Sequence, residues 1–300
     1  METRVESNLE SGAAAQRHRR GNRLSRLAPR IMTHVILSSV AVLMIFPLLW
    51  LISTSFKHPS KQYLWPPQLI PNPFYPQNYV NLFALAPMGM YLINSTKITI
   101  LSVVGTSISS TLAAFAFARM RFRGSDLLFS ILLLTMMLPG AVTLVPTFVV
   151  MSKLGWIDTH APLIVPNFFG SAFFVFLTRQ HFRSIPQDFV DAAQIDGAGF
   201  FRIYATIFLP LSMPILTTIA VLTFLWSWND LFGPLIYLNT QSKMTVQLGL
   251  AYVRGRAGTG VGQFGTIMAG AFLGLLPTLL LYFFGQKQFV QGLTRSALKG

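Results

Sequence analysis

Apolar residues run unbroken for about 20 positions at a time along this chain, with short polar connections between the runs. A hydrocarbon core about 30 Å thick requires roughly 20 apolar residues in a helix. Six stretches meet that length: Ile31–Ser53, Tyr91–Ala118, Leu127–Met151, Ala161–Gln180, Phe208–Phe232 and Phe264–Gly285. Each is predicted to be a membrane-spanning helix. Interior prolines at Pro47, Pro139, Pro146, Pro166, Pro214 and Pro277 are expected to kink several of them. Neighbouring helices can satisfy the backbone groups a proline frees. The first run follows about thirty residues and shows no clear small-residue cleavage site after Leu51-Ile52-Ser53, so it reads as a retained helix and not a removed leader.

One polar island interrupts this pattern in a distinctive way. Asp191-Ala192-Ala193-Gln194-Ile195-Asp196-Gly197 lies between two apolar runs, and Ile207-Phe208-Leu209-Pro210 follows it. Ala192 and Ala193 permit close approach by a partner. Asp196-Gly197 is a turn signal, because glycine accepts backbone angles that other residues resist. Pro210 has no donor to lose in the first turn of a following helix. The island is predicted to form helix, turn, helix where the chain leaves the membrane, a form suited to docking.

Lysines and arginines set the orientation. With the N-terminus inside, the inner segments hold the seven arginines from Arg4 to Arg30, then Arg119, Arg121, Arg123, Arg179, Arg183, Arg202, Lys287, Arg295 and Lys299. The outer segments and helix ends hold Lys57, Lys61, Lys97, Lys153, Lys243, Arg254 and Arg256. Both termini are therefore expected in the cytoplasm, and the island with them. The outer segment Thr54–Met90, rich in proline and aromatics, reads as an ordered loop, and Gly233–Gln263 as a connector or partner-probing loop with a glycine-rich tip at Gly255, Gly258, Gly260 and Gly262.

Composition narrows the classes further. The chain of 300 residues is 52% hydrophobic and 11% charged, with mean hydropathy +0.54. A soluble domain carries roughly 25% charged residues. The formal charge of +14 sits at segment ends and leaves no soluble domain to hold a duplex, so nucleic acid is not an expected partner. Cysteine is absent, which excludes disulfides and thiol catalysis. Of the carboxylates, Asp230 alone lies near a span, at the outer end of the fifth, so the intramembrane acids of a proton-coupled carrier are missing. The five histidines show no metal-binding spacing, and no phosphate-binding loop of the G-x-x-x-x-G-K-[ST] type is present. No metal site, catalytic residue or resident cofactor is expected.

Trp226, Trp228, Asn229 and Asp230 cluster in the fifth span, where aromatic faces beside an amide and a carboxylate suit a sugar; the alternative is an aromatic belt with Asp230 as an interfacial cap. Gly265, Ala269, Gly270 and Gly274 supply small residues for close helix packing in the sixth.

With these residues in view, the chain resembles the permease subunits of binding-protein-dependent ATP-binding-cassette (ABC) importers. Their signature is Glu-Ala-Ala, three residues, Gly, nine residues, then Ile-x-Leu-Pro. Asp191-Ala192-Ala193, Gly197 and Ile207-Phe208-Leu209-Pro210 keep that spacing, with Asp191 in place of the usual glutamate. Ser184-Ile185-Pro186-Gln187-Asp188-Phe189, Phe224-Leu225-Trp226-Ser227-Trp228-Asn229-Asp230 and the ending from Gln291-Gly292-Leu293-Thr294 to Lys299-Gly300 are similar to the carbohydrate group, of the maltose-type second permease (MalG-like). The resemblance spans residues 31–300 and omits the basic tail 1–30.

The resemblance implies an all-α membrane protein of the type I ABC importer fold, with one transmembrane domain over 31–300, a coupling loop at 184–210 and a cytoplasmic tail at 286–300. It implies a bacterial or archaeal plasma-membrane location. The partners it implies are a second homologous permease, two ATPase subunits that bind ATP and magnesium, an extracytoplasmic sugar-binding protein and membrane lipids. Asp191, Ala192, Ala193, Asp196, Gly197, Ile207, Leu209 and Pro210 would dock the ATPase, and the tail would reach the same surface. The cargo would be a di- or oligosaccharide; a polyol or glycerol phosphate, or a self-sufficient carrier, are the other readings.

Overall fold

The computed structural model describes residue 29, residues 31–257 and residues 263–297. Residues 1–28 and Arg30 of the arginine-rich tail, the tip glycines Gly258, Gly260 and Gly262, and Lys299-Gly300 lie outside the described residues, as do the tail side chains beyond Gly285. Among the described residues the chain is helical, with a single isolated bridge between Lys57 and Phe74.

The first helix, α1 (Ile31–Ser55), buries no side chain over residues 31–52, and only Ser53, Thr54 and Ser55 at its end are buried within this chain. The segment after it is ordered, as expected, and contains a helix, α2 (Gln77–Leu85). Asn78, fully buried on α2, donates to the carbonyls of Ser55 and Lys57 at 2.9 Å each and so ties α2 to the end of α1.

The centre of the bundle is α3 (Met88–Arg119). It packs against most of the later elements: α6 (Ala161–Ile164), α7 (Ala172–Ser184), α11 (Met213–Trp228) and α13 (Val246–Ala257). Lipid provides no hydrophobic drive between helices, so such packing depends on close approach and interhelical hydrogen bonds. Both are present. A β-carbon added at Gly249 of α13 would fall closer than 3.0 Å to the Tyr91 ring of α3, and one at Gly270 of the last helix would do the same to Leu250. Asn94 donates to the carbonyls of Ser242 and Met244 at 2.9 and 3.0 Å, and the Ser95 hydroxyl accepts from the Val246 amide at 2.8 Å.

Two of the six predicted spans are broken. The third consists of α4 (Ser125–Thr135) and α5 (Gly140–Lys153), which meet at 101°. Pro139 lies at the break; it has no amide to donate and disfavours helix in the residue before it. In the fifth, residues Phe200–Leu211 meet α11 at 78°, at Ser212 between Pro210 and Pro214. Among the described residues four helices are each long and apolar enough to cross a membrane, or up to six spans if each bent pair counts as one. The last helix, α14 (Phe264–Ala297), carries its backbone well past the predicted end at Gly285.

The predicted loop Gly233–Gln263 requires correction. It contains α12 (Phe232–Tyr237) and α13 (Val246–Ala257), and Val246, Leu248 and Val253 are buried against α3. Gly249, in the same segment, has no side chain and so admits Tyr91.

Candidate functional site

Two features of the bundle are chemically distinctive, and they lie toward opposite ends of α3.

The first is the polar island. Residues Asp188–Ile195 form α8, which is followed by a turn at Asp196-Gly197 and a short helix, α9 (Phe200–Ile203). Gly197 has φ +77°, in the left-handed region that favours glycine, and nothing lies within 4 Å of where its β-carbon would be. The Gly197 and Ala198 amides close the turn on the carbonyls of Gln194 and Ala193 at 3.0 and 2.9 Å. The loop is held by its inner face. Val190, Ile203, Tyr204 and Phe208 are buried in one cluster with Ala114, Phe115 and Phe182. Its outer face carries Phe189, Ile195, Phe200 and Phe201, all exposed, with Ile195 at 87% and Phe201 at 74%. Large apolar side chains displayed together on a polar loop mark an interaction surface.

Arg119, the last residue of α3, fixes where α8 begins. Its guanidinium donates to the carbonyls of Phe182, at 2.6 Å, and Ile185, and to Gln187 Oε1 at 2.7 Å. Gln187 in turn donates to Asp191 Oδ1 at 3.0 Å. The chain Arg119–Gln187–Asp191 thus locks the first turn of the island to the central helix.

The island residues therefore do different things. Asp191, Ala192, Asp196 and Gly197 are exposed, whereas Ala193 is half-buried against the bundle. Ile207 and Leu209 pack on the buried cluster rather than facing outward, so they anchor the loop. Pro210 is exposed and sits in the first turn of α10 (Leu209–Leu211), after a π-helical turn over Tyr204–Phe208.

The second feature is a cavity of about 420 Å³ between α3, α7, α11 and the segment around Asn167. Ser95, Ser102 and Thr106 of α3 line it with Asn167, Ser171, Thr223, Ser227, Thr245 and Asp230. The aromatic walls are Phe174 and Trp226, whose rings are 5.4 Å apart. Asn167 is fixed by its contacts with Ser102 Oγ at 3.1 Å, the Leu163 carbonyl at 2.9 Å and Thr106 Oγ1 at 3.3 Å. Thr223 Oγ1 is buried with no hydrogen-bond partner among the described residues. Asp230 is the one ionisable residue in the lining. Its Oδ1 accepts from the Phe232 and Gly233 amides at 2.9 and 3.0 Å, so it caps α12 and borders the cavity at once.

The predicted tryptophan cluster divides. Trp226 borders the cavity and is 56% exposed. Trp228 faces the other way, 2% exposed, with its indole donating to the Gly274 carbonyl at 2.8 Å and stacked on Phe224. Asn229 is spent on the Leu225 carbonyl at 2.8 Å. The polar face of α3 escaped the sequence reading. Its signal was present as hydroxyls at 95, 99, 102, 106 and 110, which share one helical face and are all buried.

Near the α8-distal end of the bundle, Asp158 joins two connections. It accepts from the Asn239 and Thr240 amides at 2.9 Å each, from Thr240 Oγ1 at 2.6 Å and from Lys243 Nζ at 2.9 Å. These contacts, the Thr240 hydroxyl foremost, hold its carboxyl well below the usual carboxylate range.

Residues 105–295 match the family model of the binding-protein-dependent transport system inner membrane component. The chain is 31% identical over 273 residues to the lactose transport system permease protein LacG of Rhizobium radiobacter, covering 91% of this chain and 98% of that protein. It is 32% identical over 272 residues to the sn-glycerol-3-phosphate transport system permease protein UgpE of Yersinia pestis, covering 89% and 96%. Among solved structures, a chain of a bacterial ABC transporter involved in the import of the acidic polysaccharide alginate superposes with TM-score 0.76 at 25% identity, covering 86% of this chain and 95% of that one. The chain belongs to the family of inner membrane components of binding-protein-dependent ABC importers. It is a multi-pass plasma-membrane permease subunit, not itself an enzyme, of an importer for sugars or glycerol phosphate, and works with ATPase and substrate-binding partners.

Proposed function

We propose that this chain forms half of the translocation pathway of an ATP-driven importer of neutral carbohydrate. The observation that carries the reading is the lining of the cavity. Hydroxyls and an amide supply donors and acceptors on several sides, Trp226 and Phe174 supply faces for the C–H surface of a sugar ring, and the one charge is a carboxylate. A phosphate ester placed there would meet Asp230 and no lining cation. Two like charges about 4 Å apart repel by about 4 kcal/mol at an effective dielectric near 20. A sugar hydroxyl meets no such cost and can pair with the serine and threonine hydroxyls and the Asn167 amide of the lining.

In this reading a second, homologous permease completes the pathway, two ATPases lie on the cytoplasmic side with ATP and magnesium, and an external binding protein delivers the cargo. Both termini and the α8–α9 loop face the cytoplasm, consistent with the arginine bias of that end. Phe189, Ile195, Phe200 and Phe201 fill an apolar groove on one ATPase, with Asp191 and Asp196 at its rim. Closure of the ATPases moves the loop, and the packed bundle switches between two rigid arrangements. No proton or metal step is required of this chain.

Uptake by cells with and without this chain, measured for neutral disaccharides and for glycerol 3-phosphate, tests the reading. Neutral sugar uptake should depend on the chain, and Trp226→Ala should reduce it at least about tenfold with the complex intact, since 1.4 kcal/mol corresponds to that factor. Dependence confined to glycerol 3-phosphate, or full uptake by Trp226→Ala, would refute it.

A further inference from the structure

Beside the α8 loop, and separate from the cavity, the ends of α3, α4 and α7 enclose a groove of about 500 Å³. Four arginines line it: Arg121, Arg123, Arg179 and Arg183, against one carboxylate, Asp126. Arg179 and Arg183 lie one turn apart on α7, hence on the same face. Arg121 and Arg123 come from the connection between α3 and α4, which Gly124 turns with φ +85°. The ion pair found among the described residues, Lys243–Asp158, is elsewhere, so none of the four makes a close ion pair among the described residues, and the four cations outnumber the one carboxylate.

Arg179 is prearranged. It is 9% exposed, its guanidinium lies 3.9 Å from the centroid of the Phe129 ring, and its Nε donates to the Phe117 carbonyl at 3.1 Å. That geometry holds the planar fork in place with its two terminal nitrogens uncommitted to any described partner. A guanidinium fork matches the oxygens of a phosphate and binds them in pairs. The other wall is apolar: Phe117, Met120 and Phe122 line it, and Met120 and Phe122 are each 39% exposed. Cations over an apolar wall, where three candidate spans end, form a site with the amphipathic character of a phospholipid.

We propose that this groove binds the phosphodiester headgroup of one anionic phospholipid, with the acyl chains against Phe117, Met120 and Phe122. Arg179 and Arg183 clamp the phosphate, and Arg121 and Arg123 meet the remaining negative charge. The bound lipid sits against the same helix ends that Arg119 ties to α8. The inference requires that the chain span a bilayer and is independent of the cargo, so it can fail or stand separately from the carbohydrate reading.

Native mass spectrometry of the assembled transporter tests it, with phosphatidylglycerol and phosphatidylcholine of identical acyl chains as probes. The wild type should retain phosphatidylglycerol preferentially. Arg121→Gln with Arg123→Gln should weaken retention by about fivefold for each arginine removed, the factor expected for a basic side chain at an anionic membrane surface. Both positions are exposed, and unchanged elution of the complex confirms assembly. Should the double variant fail to assemble, Arg183→Gln alone must lower retention about fivefold. Equal retention of both lipids by the wild type, or undiminished retention by an assembled variant, would overturn the proposal. Displacement of phosphatidylglycerol by millimolar inorganic phosphate would assign the groove to a free anion. Loss of the ATPase with lipid retention unchanged would assign it to an acidic protein face.

Discussion

Gly197 and Gly199 lie two residues apart in the same exposed turn, and the structure predicts opposite responses to the same substitution. Gly197 has φ +77° and Gly199 has φ −72°, and neither has any atom within 4 Å of its β-carbon position. Sterics therefore cancel, and backbone conformation alone separates them. An L-residue forced into the left-handed region costs about 1–2 kcal/mol. That corresponds to roughly a 5–30-fold loss in the population of the observed turn. Alanine at 199 adopts its φ freely and should be neutral, or stabilising by about 0.4–1 kcal/mol through the unfolded chain.

The graded series is Gly197→Asn, Gly197→Ala and Gly197→Val. Asparagine tolerates the left-handed region, alanine pays the ordinary cost, and the β-branched valine pays more. The spans should insert in every case, because the strain is confined to a surface turn. Recovery of the ATPase with the tagged chain should fall in that order, and so should uptake per ATP hydrolysed in proteoliposomes. Wild-type coupling in Gly197→Val would refute the docking role of the loop. An equal loss in Gly199→Ala and Gly197→Ala would refute the conformational argument.

Trp228→Ala should act on stability and not on cargo: it removes a buried, hydrogen-bonded indole, a change of about 3–5 kcal/mol in cores, and thermal unfolding of the detergent-solubilised chain measures it. Gly249→Ala should overpack the α3–α13 contact by about 1–3 kcal/mol, read in the same unfolding experiment and relieved by Tyr91→Ala in the double variant. Arg119→Gln should loosen the start of α8, raising amide exchange at Val190 and Asp191 while leaving the cavity helices protected. The Asp158 carboxyl is held below its ordinary pKa of about 3.9, so its contacts contribute fully above that value and are lost only as pH falls through the lowered one. Protection of the Asn239 and Thr240 amides should thus be unchanged between pH 7 and 5, and diminished at both in Asp158→Asn.

The spans were legible because length and hydropathy suffice to specify a helix in lipid, where every backbone group must pair internally. The breaks at 136–139 and at Ser212 were less so: prolines announce that a kink can occur, but 101° and 78° depend on what packs against each half. The island read correctly as helix, turn and helix, because Asp196-Gly197 is a local signal. Its division of labour was not legible. Ile207 and Leu209 look alike in sequence whether they meet a partner or their own bundle, and only the cluster around Phe208 decides it. Trp226 and Trp228 were taken together because they are near neighbours in sequence. In a helix a two-residue step is about 200° of rotation, so one faces the cavity and the other the core. The hydroxyl face of α3 was hidden for a related reason: isolated serines and threonines barely interrupt a hydropathy run, and their spacing of three and four emerges only when the helix is wound.

That winding joins the two features. Ser102 and Thr106 border the cavity, and Arg119, on the same helix, grips the carbonyls before α8 and the side chain of Gln187. Seventeen residues of helix separate Ser102 from Arg119, roughly 25 Å at 1.5 Å per residue. An unbroken helix transmits displacement along its axis, whereas the broken spans α4–α5 and α10–α11 can absorb it at their bends. α3 also contains no proline over its whole length. On the proposed function, a push on the island therefore reaches the cavity wall through α3 with little loss, while the bent spans accommodate the change. Shifting the α3 register below the cavity, by inserting one alanine between Ala113 and Ala114, would rotate Arg119 by about 100° away from Gln187. Such a chain should still insert, yet hydrolyse ATP without uptake; coupled uptake in that insertion would show that the connection runs through another helix.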